Sequence, residues 1–198
     1  MVLHVGKTIS PIFLWTLILM VLACAPDLSE RMRIYVETYN THDVDEIMTF
    51  YTDDVRFENV GVWVKTDKQE VRKITEWDAT THIVMKVSNV MVRGDTVTFS
   101  LLETNDWLKL AGIGEALYEP SRIVFKDGKI AIIQAKLTEE SLNRWMPKWN
   151  SILAWATEHR PDRLAEVMPE GAFVFGADYA RKWLELLEEW RQATEETE

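Results

Sequence analysis

Between Arg33 and Gly61 the apolar positions change period twice, and the rest of the chain takes its order from that stretch. Ile34, Tyr35 and Thr38–Tyr39 recur at helical spacing. Asp27 is placed to cap that helix, with Glu30 three residues on to close a capping box. Asn40 and His42 interrupt the pattern. Asp43 can cap a second, short helix whose buried face is Val44, Ile47, Met48, Phe50 and Tyr51. After Asp53–Asp54 the period falls to two, and Val55-Arg56-Phe57-Glu58-Asn59 reads as a half-buried strand. Gly61 turns the chain into a second short strand, Val62-Trp63-Val64. Thr66 with Gln69 then forms a capping-box pattern ahead of a helix through Val71, Ile74 and Trp77. His82 to Val92 is β-rich and ends at the Arg93-Gly94-Asp95 turn; Thr96 to about Lys109 reads as one long strand, followed by an Ala111–Gly114 loop. Leu117–Phe125 and Lys129–Leu137 form a hairpin across Asp127-Gly128, the strongest turn signal in the chain. The predicted order is helix, helix, strand, strand, helix and four antiparallel strands, an α+β domain.

Beyond residue 138 the pattern is helical to the end. Leu142, Trp145, Trp149, Ile152 and Ala156 share one face at spacings of three and four, with Pro147 expected in the first or second turn. Pro161 opens a further helix through Leu164 and Val167, and Tyr179, Trp183, Leu186 or Leu187, and Trp190 mark a third. Three roles are open to these helices: covering a pocket mouth, packing on a sheet's outer face, or building a homodimer. Periodicity does not choose among them.

The residues of the opening stretch, Tyr35, Asn40, Asp43, Asp45, Ile47, Phe50-Tyr51, Asp54-Val55 and Phe57, follow a spacing that resembles the start of the nuclear transport factor 2-like, or SnoaL-like, superfamily. The resemblance implies a cone: a curved antiparallel sheet packed on N-terminal helices around a pocket. On that reading residues 24–138 form the cone and 139–198 a helical extension packed on the same domain.

Composition narrows the function. The chain has 198 residues, 47% hydrophobic, and a formal charge of −10, which argues against nucleic acid because a basic face supplies most of such binding. At the N-terminus, Lys7 precedes an apolar run from Pro11 to Ala23, short for a membrane span of roughly 20 residues. Residues 1–23 are therefore read as a signal peptide. Val21-Leu22-Ala23-Cys24 resembles a bacterial lipobox, with Cys24 as the lipidated first residue of the mature chain; an ordinary signal peptide or an uncleaved anchor is the alternative. Cys24 is also the only cysteine, so no internal disulfide can form. The expected address is export to the bacterial cell envelope or the periplasmic or extracellular space, with membrane contact through the N-terminus alone.

Strand alternation proposes which side chains meet in the cone. Val55, Phe57 and Asn59 share a face, as do Val97, Phe99, Leu101, Glu103, Asn105 and Trp107. Glu103 would then be a carboxylate among apolar neighbours, with a raised pKa suited to acid–base work. The expected pocket comprises Phe57, Trp63, Phe99, Asn105, Trp107 and Ser121. The resemblance offers two catalytic templates, and neither is complete. Against steroid isomerase-like members, Tyr35 matches the oxyanion-hole tyrosine, but the base falls on Asn59 and the second oxyanion-hole acid near Ser121. Against limonene epoxide hydrolase-like members, Asn59 and Glu103 match, but the tyrosine, arginine and second aspartate fall on Phe57, Leu101 and Ala135. His4, His42, His82 and His159 do not cluster at metal-ligand spacing, and no phosphate-loop, dinucleotide or G-x-S-x-G motif occurs, so neither metal nor cofactor is implied. Two functions stay open: an exported, lipid-anchored protein that binds a small apolar ligand, and an isomerase, cyclase or hydrolase using Glu103 with Asn59 and Tyr35.

Overall fold

The computed structural model describes residues 27–195, so residues 1–23, expected to be a signal peptide, and Cys24 lie outside the described residues. Two short helices, α1 (Leu28–Tyr39) and α2 (Val44–Met48), lead into β1 (Tyr51–Asn59) and β2 (Trp63–Thr66). Asp27 accepts bonds from the Ser29 and Glu30 amides, and Asp43 from that of Glu46, so both helices start at side-chain caps. The next helix, α3 (Lys68–Thr80), is capped by Asp67 rather than Thr66; the carboxylate reaches the Gln69 and Glu70 amides together. Strands β3 (Val84–Arg93) and β4 (Thr96–Thr104) follow, then α4 (Asp106–Leu110), then the hairpin of β5 (Ala116–Lys126) and β6 (Lys129–Ala135).

The long strand expected to reach Lys109 stops at Thr104. Asn105 takes an extended conformation and its side-chain oxygen accepts the Leu108 amide at 2.7 Å, starting α4. A local side-chain cap of this kind competes directly with sheet pairing.

The sheet order is β2-β1-β6-β5-β4-β3. Every neighbouring pair is antiparallel except β1 and β6, which run parallel with Phe57 beside Ile133 and Asn59 beside Ala135. The sheet is therefore mixed, not wholly antiparallel as expected: alternation assigns faces to a strand but carries no information on a partner 76 residues away. Register shifts between Ser88 and Met91, with Asn89 at φ 55°, and between Phe99 and Leu101 bend the outer strands. The concave face buries Val55, Val97, Phe99 and Ile123 against Met32, Tyr35 and Ile47 of the first two helices.

The C-terminal third forms α5 (Glu139–His159), α6 (Pro161–Val167), one 3-10 turn at Pro169–Gly171, and α7 (Ala177–Glu195). Trp183, Leu186 and Leu187 of α7 are fully buried and pack with α3 and α4. Pro147 lies in the third turn of α5, deeper than expected. Pro147 and Asn143, whose carbonyl loses its helical donor, are both exposed, so water can satisfy that oxygen. Among the described residues no helix is long and apolar enough to cross a membrane.

Candidate functional site

A hollow of about 390 Å³ lies between the concave sheet face, α1, α3 and α5. Phe57 and Asn59 project into it from β1, and Phe99, Leu101 and Glu103 from β4, the alternate positions of each strand. Trp63 closes one end with Phe57 and Phe175, at ring-centroid distances of 5.2 Å each. Leu142 and Met146 of α5 and Val62 of the β1–β2 turn line the hollow yet stay exposed, which places its mouth between α5 and that turn.

Asn105 and Trp107 reach the hollow as well, but from α4 and the residue that caps it. Trp107 stacks on Trp145 of α5 at 5.1 Å and meets Trp183 of α7 at 6.2 Å. Its indole nitrogen is buried without a partner. Ser121 is buried in the wall, its hydroxyl weakly donated to the Tyr118 carbonyl at 3.4 Å. Tyr35 is at the α1 side, and its hydroxyl shares a 2.7 Å bond with that of Tyr51, which leaves it little freedom to serve a ligand.

Two acids meet in this apolar setting. Glu103 accepts a bond from the Asn105 side-chain amide at 2.7 Å and another from the Tyr118 hydroxyl. Asp78, from α3, accepts the Tyr39 hydroxyl at 2.5 Å. Both keep some accessible surface, as residues lining a hollow do, yet sit deep among protein atoms. Burial drives the Asp78 carboxyl up to about 8, and the nearby Glu103 charge pushes the same way against the Tyr39 bond. Burial likewise raises Glu103, to about 7, while its bonds from Tyr118 and Asn105 hold it down. The two repel, so the pair holds at least one proton at neutral pH and behaves as one titrating unit. Tyr39 and Tyr118 are raised by burial and by these acids, and remain protonated donors.

Strand alternation does not reach Asp78 and Tyr39, which lie on helices, and it misplaces Tyr118, because the register shift in β5 sets Tyr118 three residues rather than two or four from Ser121 on the same face. A helical signal was present: Val71, Ile74, Thr75 and Asp78 follow the i, i+3, i+4, i+7 spacing of one helix face, so a carboxylate ends an otherwise buried stripe. Asn59 keeps its predicted place in the wall, and its side-chain oxygen is buried with no hydrogen-bond partner. Such an atom carries an unmet desolvation cost, normally resolved by water or a ligand. Among the described residues no group of three or more histidine, cysteine or acidic side chains is placed to hold a metal ion.

Comparison with known proteins follows the fold. The epoxide hydrolase/cyclase-like enzyme SalBIII, which takes part in pyran ring formation in the polyether salinomycin, aligns over 58% of this chain and 95% of its own, at 18% identity and a TM-score of 0.51. An epoxide hydrolase of Mycobacterium tuberculosis described as LEH-like aligns over 63% of this chain and 93% of its own, at 11% identity and a TM-score of 0.50. At these identities the likeness is one of fold. No curated protein matched the sequence. The SnoaL-like domain profile matches residues 32–133, about half the chain, from the first helix through the last strand and ending before α5. The chain belongs to the SnoaL-like domain family.

Proposed function

We propose that this protein binds a small, largely apolar molecule in the hollow, as an exported domain tethered through lipid on Cys24. The hollow itself carries the reading: about 390 Å³ walled mainly by aromatic and aliphatic side chains, with a few polar groups among them, including Asn59, Asp78, Glu103 and Asn105. Ligand sites are commonly apolar concavities with a few placed polar groups. Native mass spectrometry of the full-length protein extracted from membranes is the test. A co-purifying molecule of fixed mass, lost when Leu101→Trp fills the hollow, supports the reading; an empty native protein that also binds no member of a hydrophobic compound set overturns it. The tether has its own test, since Cys24→Ser should move the protein from the membrane to the soluble fraction.

A second reading, acid–base catalysis by an isomerase, cyclase or hydrolase using Glu103, gains from one observation. Asp78 supplies a second buried acid, so the pair could give a proton to one atom of a substrate and take one from another. The solved structures of similar fold include an epoxide hydrolase/cyclase-like enzyme. Neither the Tyr35 hydroxyl, engaged by Tyr51, nor Asn59, which cannot abstract a proton, adds to it. Once a turnover is known, an unchanged kcat/KM in Glu103→Gln removes this reading.

A further inference from the structure

The ionisable groups that line the hollow are all acids. Asp78, Glu103 and three tyrosines, Tyr35, Tyr39 and Tyr118, belong to its wall, whereas no lysine, arginine or histidine among the described residues does. Neither carboxyl enters an ion pair among those residues. Buried carboxyls without a cation are costly, and proteins normally neutralise them by a partner or a retained proton.

We propose that the molecule taken up in this hollow is an organic cation, an apolar body carrying a protonated amine, with its ammonium held between Asp78 and Glu103. The inference rests on the binding reading above and names the ligand's chemical class. Three observations converge on it. Hydrogen bonds from Tyr39, Tyr118 and Asn105 use only part of the acceptor capacity of two carboxylates, leaving lone pairs for ammonium protons. Asn59 adds a buried oxygen that still needs a donor. Trp63, Trp77, Trp107 and Trp149 line the same space, and indole faces attract cations as well as hydrocarbon. The unpartnered Trp107 indole nitrogen is a single neutral donor and does not offset two acids. An anionic ligand would meet like charge with no compensating cation in the wall.

Binding should also move protons. The groups facing the pair are Tyr35 and Tyr39 from α1, Tyr51 from β1, Tyr118 from β5 and Asn105 beside α4; none is a cation. An ammonium favours the ionised carboxylates, so the pair releases a proton as the amine docks. Amine affinity then rises between pH 6 and pH 8, by at most about tenfold per pH unit for each proton released, and flattens once the pair is ionised.

The experiment compares three probes of one shape on the full-length protein by calorimetry: 2-naphthylmethylamine, 2-naphthylmethanol and 2-naphthoate. At pH 8 the amine should bind at least tenfold more tightly than the alcohol, and the carboxylate least of all. The Asp78→Asn, Glu103→Gln double variant should bring amine and alcohol within about twofold, with alcohol binding kept as the sign of an intact hollow. Titrations of the unmodified protein in two buffers of different ionisation enthalpy should show proton release with the amine and none with the alcohol, a readout that needs no variant to fold. Alcohol binding as tight as amine binding overturns the inference while leaving the hollow a binding site, and so does an amine preference that survives in the double variant. Failure of all three probes to bind counts against the binding reading itself and takes the inference with it.

Discussion

Asp78→Asn should stabilise the ligand-free protein at alkaline pH, although it removes a buried hydrogen-bonding carboxyl. Asparagine has nearly the same shape, and its carbonyl can continue to accept the Tyr39 hydroxyl that Asp78 accepts at 2.5 Å. The charge is what changes. The folded-state pKa of about 8 lies well above the ordinary 3.8. A group raised in this way contributes its full stability below the unfolded value, and that contribution is lost as pH climbs through the folded one. A gap of roughly 4 units corresponds to an upper limit of about 5 kcal/mol between pH 4 and pH 8. Part of the shift is repulsion from Glu103, which falls on whichever acid ionises second, and relaxation around the hollow takes up more. A net gain of about 2 kcal/mol for the variant at pH 8 is the reasonable expectation, shrinking towards zero near pH 5. Urea unfolding of the full-length protein followed by tryptophan fluorescence, at half-unit steps from pH 5 to pH 9, gives the two stability profiles. They should converge on the acid side and separate on the alkaline side. Parallel profiles would show that Asp78 is ionised without strain, and the account of the hollow as cation-free would fail with it.

Two other substitutions test the supports of the site. Asn105→Ala removes both the α4 cap and a donor to Glu103, so it should cost about 1–2 kcal/mol in thermal or chemical unfolding; it should also raise the Glu103 pKa further, read by carbon-13 NMR of its carboxyl. Trp183→Ala deletes a fully buried ring that packs with Trp107, Trp149 and Phe173, so it should cost about 3–5 kcal/mol. In a domain of this size that lowers the melting temperature by about 10 °C.

Local grammar was legible at most points where one residue decides the backbone, the α3 cap falling on Asp67 instead of Thr66. Asp27 and Asp43 start their helices, Asp127-Gly128 turns its hairpin, and strict alternation puts Phe57 with Asn59 and Phe99 with Glu103 on the concave side. Two of the failures share a cause, competition between two rules at one place. After Thr104 the alternation continues through Asn105 and Trp107, but the side chain of Asn105 satisfies the Leu108 amide and a helix wins. Asp78 carries a charge that a helix ordinarily turns to water, whereas its spacing from Val71 and Ile74 puts it on the buried stripe. The parallel pairing of β1 with β6 depends on how the whole sheet closes up, and no window of neighbouring residues contains it.

Apart from Phe173 and Phe175, which reach it from the segment before α7, the wall of the hollow is drawn from two stretches of unequal standing. One, up to residue 135, also has to keep strand register and curvature, so a change at Phe99 or Glu103 is felt by the scaffold. The other, through Leu142, Trp145, Met146 and Trp149, sits on a helix outside the hydrogen-bonded sheet. The shape of the guest can thus be retuned on α5 while the curved sheet is left alone, a division of labour convenient both to natural divergence and to anyone wishing to adapt the protein to a different guest.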